Sequence, residues 1–82
     1  MTRPMAEILT TAREQAGLSE RELWVGYYSL GGTADPQTLN AYLDGTVTPS
    51  GPQYDVIAQT LNEVFVGRGE NHPVPYAEDL SG

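Results

Sequence analysis

Three stop-and-start signals cut this sequence into short rods, and they limit its fold more than any other feature. Gly17 is followed by Leu18-Ser19, with Glu22 three residues beyond the serine. That is the spacing of a capping box, and Leu18 stands where it can staple onto Leu23. Gly31-Gly32 is followed by Asp35-Pro36, an N-cap side chain with proline at the first helical position. Asp44-Gly45 is followed by a turn and then by Ser50-Gly51. Between these signals the apolar residues recur at helical spacing. Ile8, Leu9 and Ala12 predict a helix over residues 5–16, and Leu23, Trp24 and Tyr27 predict one from Ser19 to about Leu30. Gly26 is a weak point in that second helix. Leu39, Tyr42 and Leu43 mark a short third helix over residues 36–43. Tyr54, Ile57, Ala58, Leu61 and Phe65 give the cleanest helical stripe, ending at Gly67-Arg68-Gly69.

An all-α domain of four to five helices follows, occupying residues 1–69. Residues 70–82 contain Pro73, Pro75, Glu70, Glu78 and Asp79 and predict an extended acidic tail. A docked, strand-like arm is the alternative, because Val74 and Tyr76 alternate with the prolines. The whole chain has 82 residues, enough for one modest core, so partner binding or self-association can supply part of its stability. It has no cysteine, which removes disulfides, thiolate catalysis and cysteine metal sites. Met1 to Met5 leads into a polar helical segment, not a signal sequence, and no apolar run approaches the roughly 20 residues of a membrane helix. The expectation is a cytoplasmic protein that does not enter membranes.

Charge narrows the function classes. Four arginines and no lysine stand against 11 acids, for a net charge of −7. Residues 1–69 hold all four arginines and eight acids, a net of −4, and residues 70–82 add three acids. Nucleic-acid affinity normally rests on Lys and Arg neutralising phosphates, so non-specific binding to DNA should be weak. A basic protein partner suits this balance as well as a duplex does. Catalysis finds no support: the single histidine, His72, lies in the tail, and no nucleophile–base–acid set exists. One histidine with scattered acids is not a metal site, and no cofactor is expected. Gly31-Gly32 and Gly67-Arg68-Gly69 lack the flanking strand and the lysine of a phosphate loop, so they are helix stops.

The stretch from Ala34 through Asp35-Pro36-Gln37-Thr38-Leu39-Asn40-Ala41-Tyr42-Leu43-Asp44 to Gly45 resembles the third helix of the Xre family, the lambda repressor-like helix-turn-helix domains. Thr48-Pro49-Ser50 through Tyr54, Ile57, Ala58 and Leu61 resembles that family's following turn and helix, and Ala16-Gly17-Leu18-Ser19 through Leu23 its passage from first to second helix. The resemblance covers roughly residues 8–65 through joint spacing, with no single diagnostic motif. It implies that helix 36–43 lies in the major groove of DNA while helix 19–30 crosses the backbone. By position Gln37, Thr38 and Asn40 would face base edges, and Arg21 would meet a phosphate. The chain departs from the family in four places. The connection from Leu23 to Asp35 is about five residues longer than usual. Trp24 stands where a small residue is common, Ala41 where a basic or polar one is frequent, and Asp35 and Asp44 put negative charge at both ends of the reading helix.

Each of these residues also has a plain structural reading. Gln37, Thr38 and Asn40 can be an ordinary exposed polar face. Arg13 and Arg21 can be surface cations paired with neighbouring acids. Trp24 and Tyr27 can be core, and Tyr42 and Tyr54 core-lining with wet hydroxyls. Tyr28 is offset from Trp24 and Tyr27 and fits an exposed interface. Two functions remain in view. The first is a small transcriptional regulator that binds DNA through helix 36–43, as a homodimer. The second is a protein-interaction module that keeps the scaffold without DNA binding and docks on a basic partner through Trp24, Tyr28 and its acidic surface. The acidic tail is then either a solubilising extension or a partner-binding arm. An acidic mimic of DNA is a third possibility, one for which eight acids in the helical part make a thin array.

Overall fold

The computed structural model of the chain describes residues 4–80. Arg3 and the last two residues of the 70–82 segment lie outside the described residues. The described residues form five helices: α1 (Met5–Ala16), α2 (Glu20–Ser29), α3 (Pro36–Asp44), α4 (Gly51–Gly67) and α5 (Ala77–Leu80). No strand occurs among the described residues, and no helix is long and apolar enough to cross a membrane.

Local chemistry sets the boundaries. Ser19 Oγ accepts from the Glu22 amide at 3.0 Å, and the Glu22 carboxylate accepts from the Ser19 amide at 2.9 Å, so the capping box is complete. Asp35 Oδ1 accepts from the Thr38 amide at 2.7 Å, and Ser50 Oγ from the Gln53 amide at 3.3 Å. At the other end of α1 all four terminal carbonyls find donors. The Gly17 and Leu18 amides reach the carbonyls of Glu14 and Arg13, as in a Schellman turn. The Arg68 guanidinium, arriving from beyond α4, takes the carbonyls of Gln15 at 2.9 Å and Ala16 at 2.6 Å.

The core forms where α1 and α2 pack on α4, and α3 closes it against α1 and α2. Leu9, Leu23, Tyr27, Leu39, Tyr54, Ile57, Ala58 and Leu61 are fully buried there. Helix α2 lies on α4 so closely that a Cβ on Gly26 would come within 2.7 Å of Thr60 Cγ2. Gly26 is therefore the crossing point of two helices, and its low helix propensity is offset by what it lets approach.

Residues 70–80 are part of the domain rather than a free tail. Val74 is 3% exposed, and its amide and carbonyl exchange two 2.9 Å hydrogen bonds with the side-chain amide of Asn62 on α4. The Tyr54 hydroxyl donates to the Pro75 carbonyl at 2.7 Å, so it is not wet. Asp55 accepts from the Ala77 amide at 2.7 Å, at the start of α5. Residues 70–76 form no strand, and residues 77–80 turn into α5.

Candidate functional site

Helix α3 is short and two-sided. Leu39 and Leu43 are buried, which leaves Gln37, Asn40 and Asp44 on an outward stripe at spacings of three and four. All three are exposed, with half-buried Ala41 between them. Thr38 is half-buried and lies on the other flank of the helix from Asn40. It is thus set apart from Gln37 and Asn40, which share one side.

Helix α2 supplies the facing wall. Glu20 and Arg21 in its first turn and Trp24 one turn on border a cavity of about 440 Å³ that Pro36 and Asn40 close from α3. A second cavity of about 330 Å³ adjoins it, lined by Thr10, Arg13, Glu20, Asn40, Leu43 and Asp44. Asn40 and Glu20 border both. Tyr28 stacks on Trp24 with ring centroids 5.2 Å apart and planes 28° apart, and remains 62% exposed. The DNA candidates Arg21 and Asn40 and the partner candidates Trp24 and Tyr28 therefore form one continuous surface. Anything that covers one pair crowds the other.

The loop between α2 and α3 holds this surface in register, and two α2 side chains organise it. The Trp24 indole N–H donates to the Ala34 carbonyl at 3.0 Å. The Tyr27 hydroxyl accepts from the amides of Thr33 at 3.1 Å and Ala34 at 2.9 Å, and donates to Gln53 Oε1 on α4. The Tyr27 ring lies so close to Gly32 that a Cβ there would come within 2.3 Å of it. Gly32 is more than a helix stop: glycine is needed for the loop to lie across the ring. Trp24 is half-buried and serves as a loop anchor as much as a surface aromatic. Glu20, Pro36 and Gln53 carry no motif that marks them as site residues. Only their place relative to a loop of unknown path would have done so.

The electrostatics follow from where the arginines go. Arg68 is spent on α1 carbonyls, and its guanidinium lies 5.7 Å from the Phe65 ring centroid. Arg13 turns inward and donates to the Leu18 carbonyl at 2.8 Å, so it pairs with backbone rather than with an acid or a phosphate. Arg21 is the exposed cation of the α2–α3 surface. Glu20 lines its cavity, Asp44 lines the adjoining one, and Asp35 caps the start of α3. Hydrogen bonding to Thr38 lowers the carboxyl of Asp35 below the usual aspartate range, and hydrogen bonding to Thr46 does the same for Asp44. Both are ionised at neutral pH, and each already accepts a backbone N–H. No group of three or more metal-ligating side chains occurs among the described residues. His72 is exposed, with Nδ1 3.2 Å from Asn71 Oδ1.

No family model, curated protein or solved structure matches this chain.

Proposed function

We propose that the chain is a small DNA-reading regulator with a lambda repressor-like arrangement of α1 to α4, in which α3 enters the major groove. The observation that carries this reading is the convergence of Arg21 from α2 with Asn40 from α3 on one cavity, while Gln37 stands exposed on the same stripe as Asn40. A cation that can meet a phosphate then sits beside two amides that can pair with adenine.

The test is fluorescence anisotropy against a randomised duplex pool at low salt, followed by selection of retained sequences. Asn40→Ala should weaken binding to a selected site by about 1–3 kcal/mol and relax the choice of base at one position. Arg21→Ala should weaken all duplexes alike and reduce the dependence of log affinity on log salt by about one unit. Wild-type protein that retains no duplex at low salt would sink the proposal.

One observation favours a second reading, docking on a basic protein. Two of the three described arginines are engaged with backbone carbonyls, which leaves Arg21 as the exposed cation of a surface that also carries the acids Glu20 and Asp44. Under that reading Trp24 is the anchor, and a basic peptide rather than a duplex shifts its fluorescence.

A further inference from the structure

We infer that the hollow between α1, the end of α4 and the C-terminal arm binds a small neutral molecule, about the size of a bicyclic aromatic ring. The hollow has a volume of about 310 Å³ and is walled by α1, by Phe65 of α4, by residues 73–75 of the arm and by Leu80 of α5. Ile8, Ala12, Phe65 and Val74 line it, and none of these is more than 7% exposed. Protein interiors hold few voids larger than one water, so a space of this size set against core side chains is more than a packing fault. It is also separate from the α2–α3 surface. Thr10 and Arg13, which line the cavity beside α3, project from the opposite side of α1 to Ile8 and Ala12.

The chemistry of the walls selects the occupant. No ionisable side chain lines the hollow. The polar groups of the arm are already taken: Asn62 holds the amide and carbonyl of Val74, and the Tyr54 hydroxyl holds the Pro75 carbonyl. Pro73 and Pro75 have no N–H to offer. Water in such a space finds few partners, and an apolar molecule that displaces poorly held water gains affinity. An anion is disfavoured. The Arg68 guanidinium, beside Gln15, is committed to the carbonyls of Gln15 and Ala16, and Leu80 follows directly on Glu78 and Asp79. On the α1 wall the exposed side-chain amide of Gln15 can meet one hydrogen-bonding group of the ligand. Size sets the rest. An apolar void of about 150 Å³ accepts benzene, so one about twice as large accepts two fused rings.

The site is independent of DNA binding, and the arm ties it to the fold: a molecule seated against Val74 should hold the arm down. The probe is indole, with indole-3-acetate as its anionic counterpart. Methyl NMR spectra of the full chain should show Ile8, Val74 and Leu80 shifting saturably with indole, with a Kd of about 1 mM or tighter. Exchange of the Val74 amide should slow as indole is added. Ala12→Met, which puts bulk into the hollow, should weaken indole binding at least about tenfold. Leu80→Ala removes part of the wall at a half-buried position in the last helix. It should weaken binding about threefold or more while the circular dichroism stays unchanged. Methyls that do not move in a saturated indole solution, or shifts confined to Trp24 and Tyr28, overturn the inference. So does tighter binding of indole-3-acetate than of indole, or a Leu80→Ala chain that binds indole as well as wild type.

Discussion

The Tyr27 hydroxyl accepts from the Thr33 and Ala34 amides and donates to Gln53, so deleting a single oxygen leaves the Ala34 amide without its acceptor, and the Thr33 amide and Gln53 Oε1 with only their long 3.5 Å contact to each other. The tyrosine itself is fully buried, and the groups it serves lie at the joint between α2, α3 and α4. Leaving such groups unsatisfied costs about 1–3 kcal/mol, more than the gain from burying a slightly less polar ring. Tyr27→Phe should therefore lower the urea midpoint at unchanged slope, and should raise amide exchange at Thr33 and Ala34 above that of the helices. A variant with wild-type exchange at those two amides would show that the hydroxyl does not hold the loop. Because Trp24, which is tied to the Ala34 carbonyl of this loop, lines the same cavity as Asn40, the same change should also loosen the α3 surface.

At the scale of elements, α2 against α4 is the contact with least slack. Alanine at position 26 would favour the isolated helix by about 1 kcal/mol over glycine, yet its Cβ would meet Thr60 Cγ2 at 2.7 Å. The methyl belongs to a β-branched side chain whose hydroxyl is tied to the Val56 carbonyl at 2.8 Å, so it cannot easily turn aside. Gly26→Ala alone should destabilise the fold, and adding Thr60→Ser, which removes that methyl, should recover most of the loss. Thermal denaturation of the two single variants and the double variant completes the cycle. Two independent, additive effects would contradict the packing account.

The same pair shows what the sequence discloses and what it hides. Caps act over three or four residues, so Ser19, Asp35 and Ser50 place the starts of α2, α3 and α4 directly, and the apolar stripes identify Leu9, Leu39, Ile57 and Leu61 as core. A close approach between residues 34 positions apart leaves no local mark, and Gly26 reads only as a poor helix former. Gly32 under the Tyr27 ring and Arg68 on the carbonyls of α1 are hidden for the same reason. Within the site, Gln37 and Asn40 are legible from their place on an amphipathic helix. Their meeting with Arg21 and Trp24 depends on a loop whose path is set by two hydrogen-bonding side chains.

For the molecule as a whole, the C-terminal arm completes the core, with Val74 seated against it and Asn62, Tyr54 and Asp55 holding the backbone from α4. Burial, followed by the negative charges of Asp55 and Asp79, pushes the Tyr54 phenol up to about 12. An unfolded tyrosine titrates near 10. With the folded value raised, this contribution to stability is fully present below about pH 10 and is lost as pH rises through the folded value. Alkaline titration should therefore release the arm before the helices melt, seen as tyrosinate absorbance at Tyr54 together with loss of exchange protection at Val74. Tyr54→Phe should remove this step, and an arm that loosens at the same pH in that variant would exclude the phenol as its cause.

Trp24 is the single tryptophan of the sequence, and it lines the cavity between α2 and α3. The chain thus carries its own optical probe at the place where a duplex or a basic peptide would arrive. Each visitor should leave a different trace on the indole. Stacked bases should quench it, and a covering protein should shift its emission to the blue. Unlabelled protein in a cuvette is enough to tell these visitors apart.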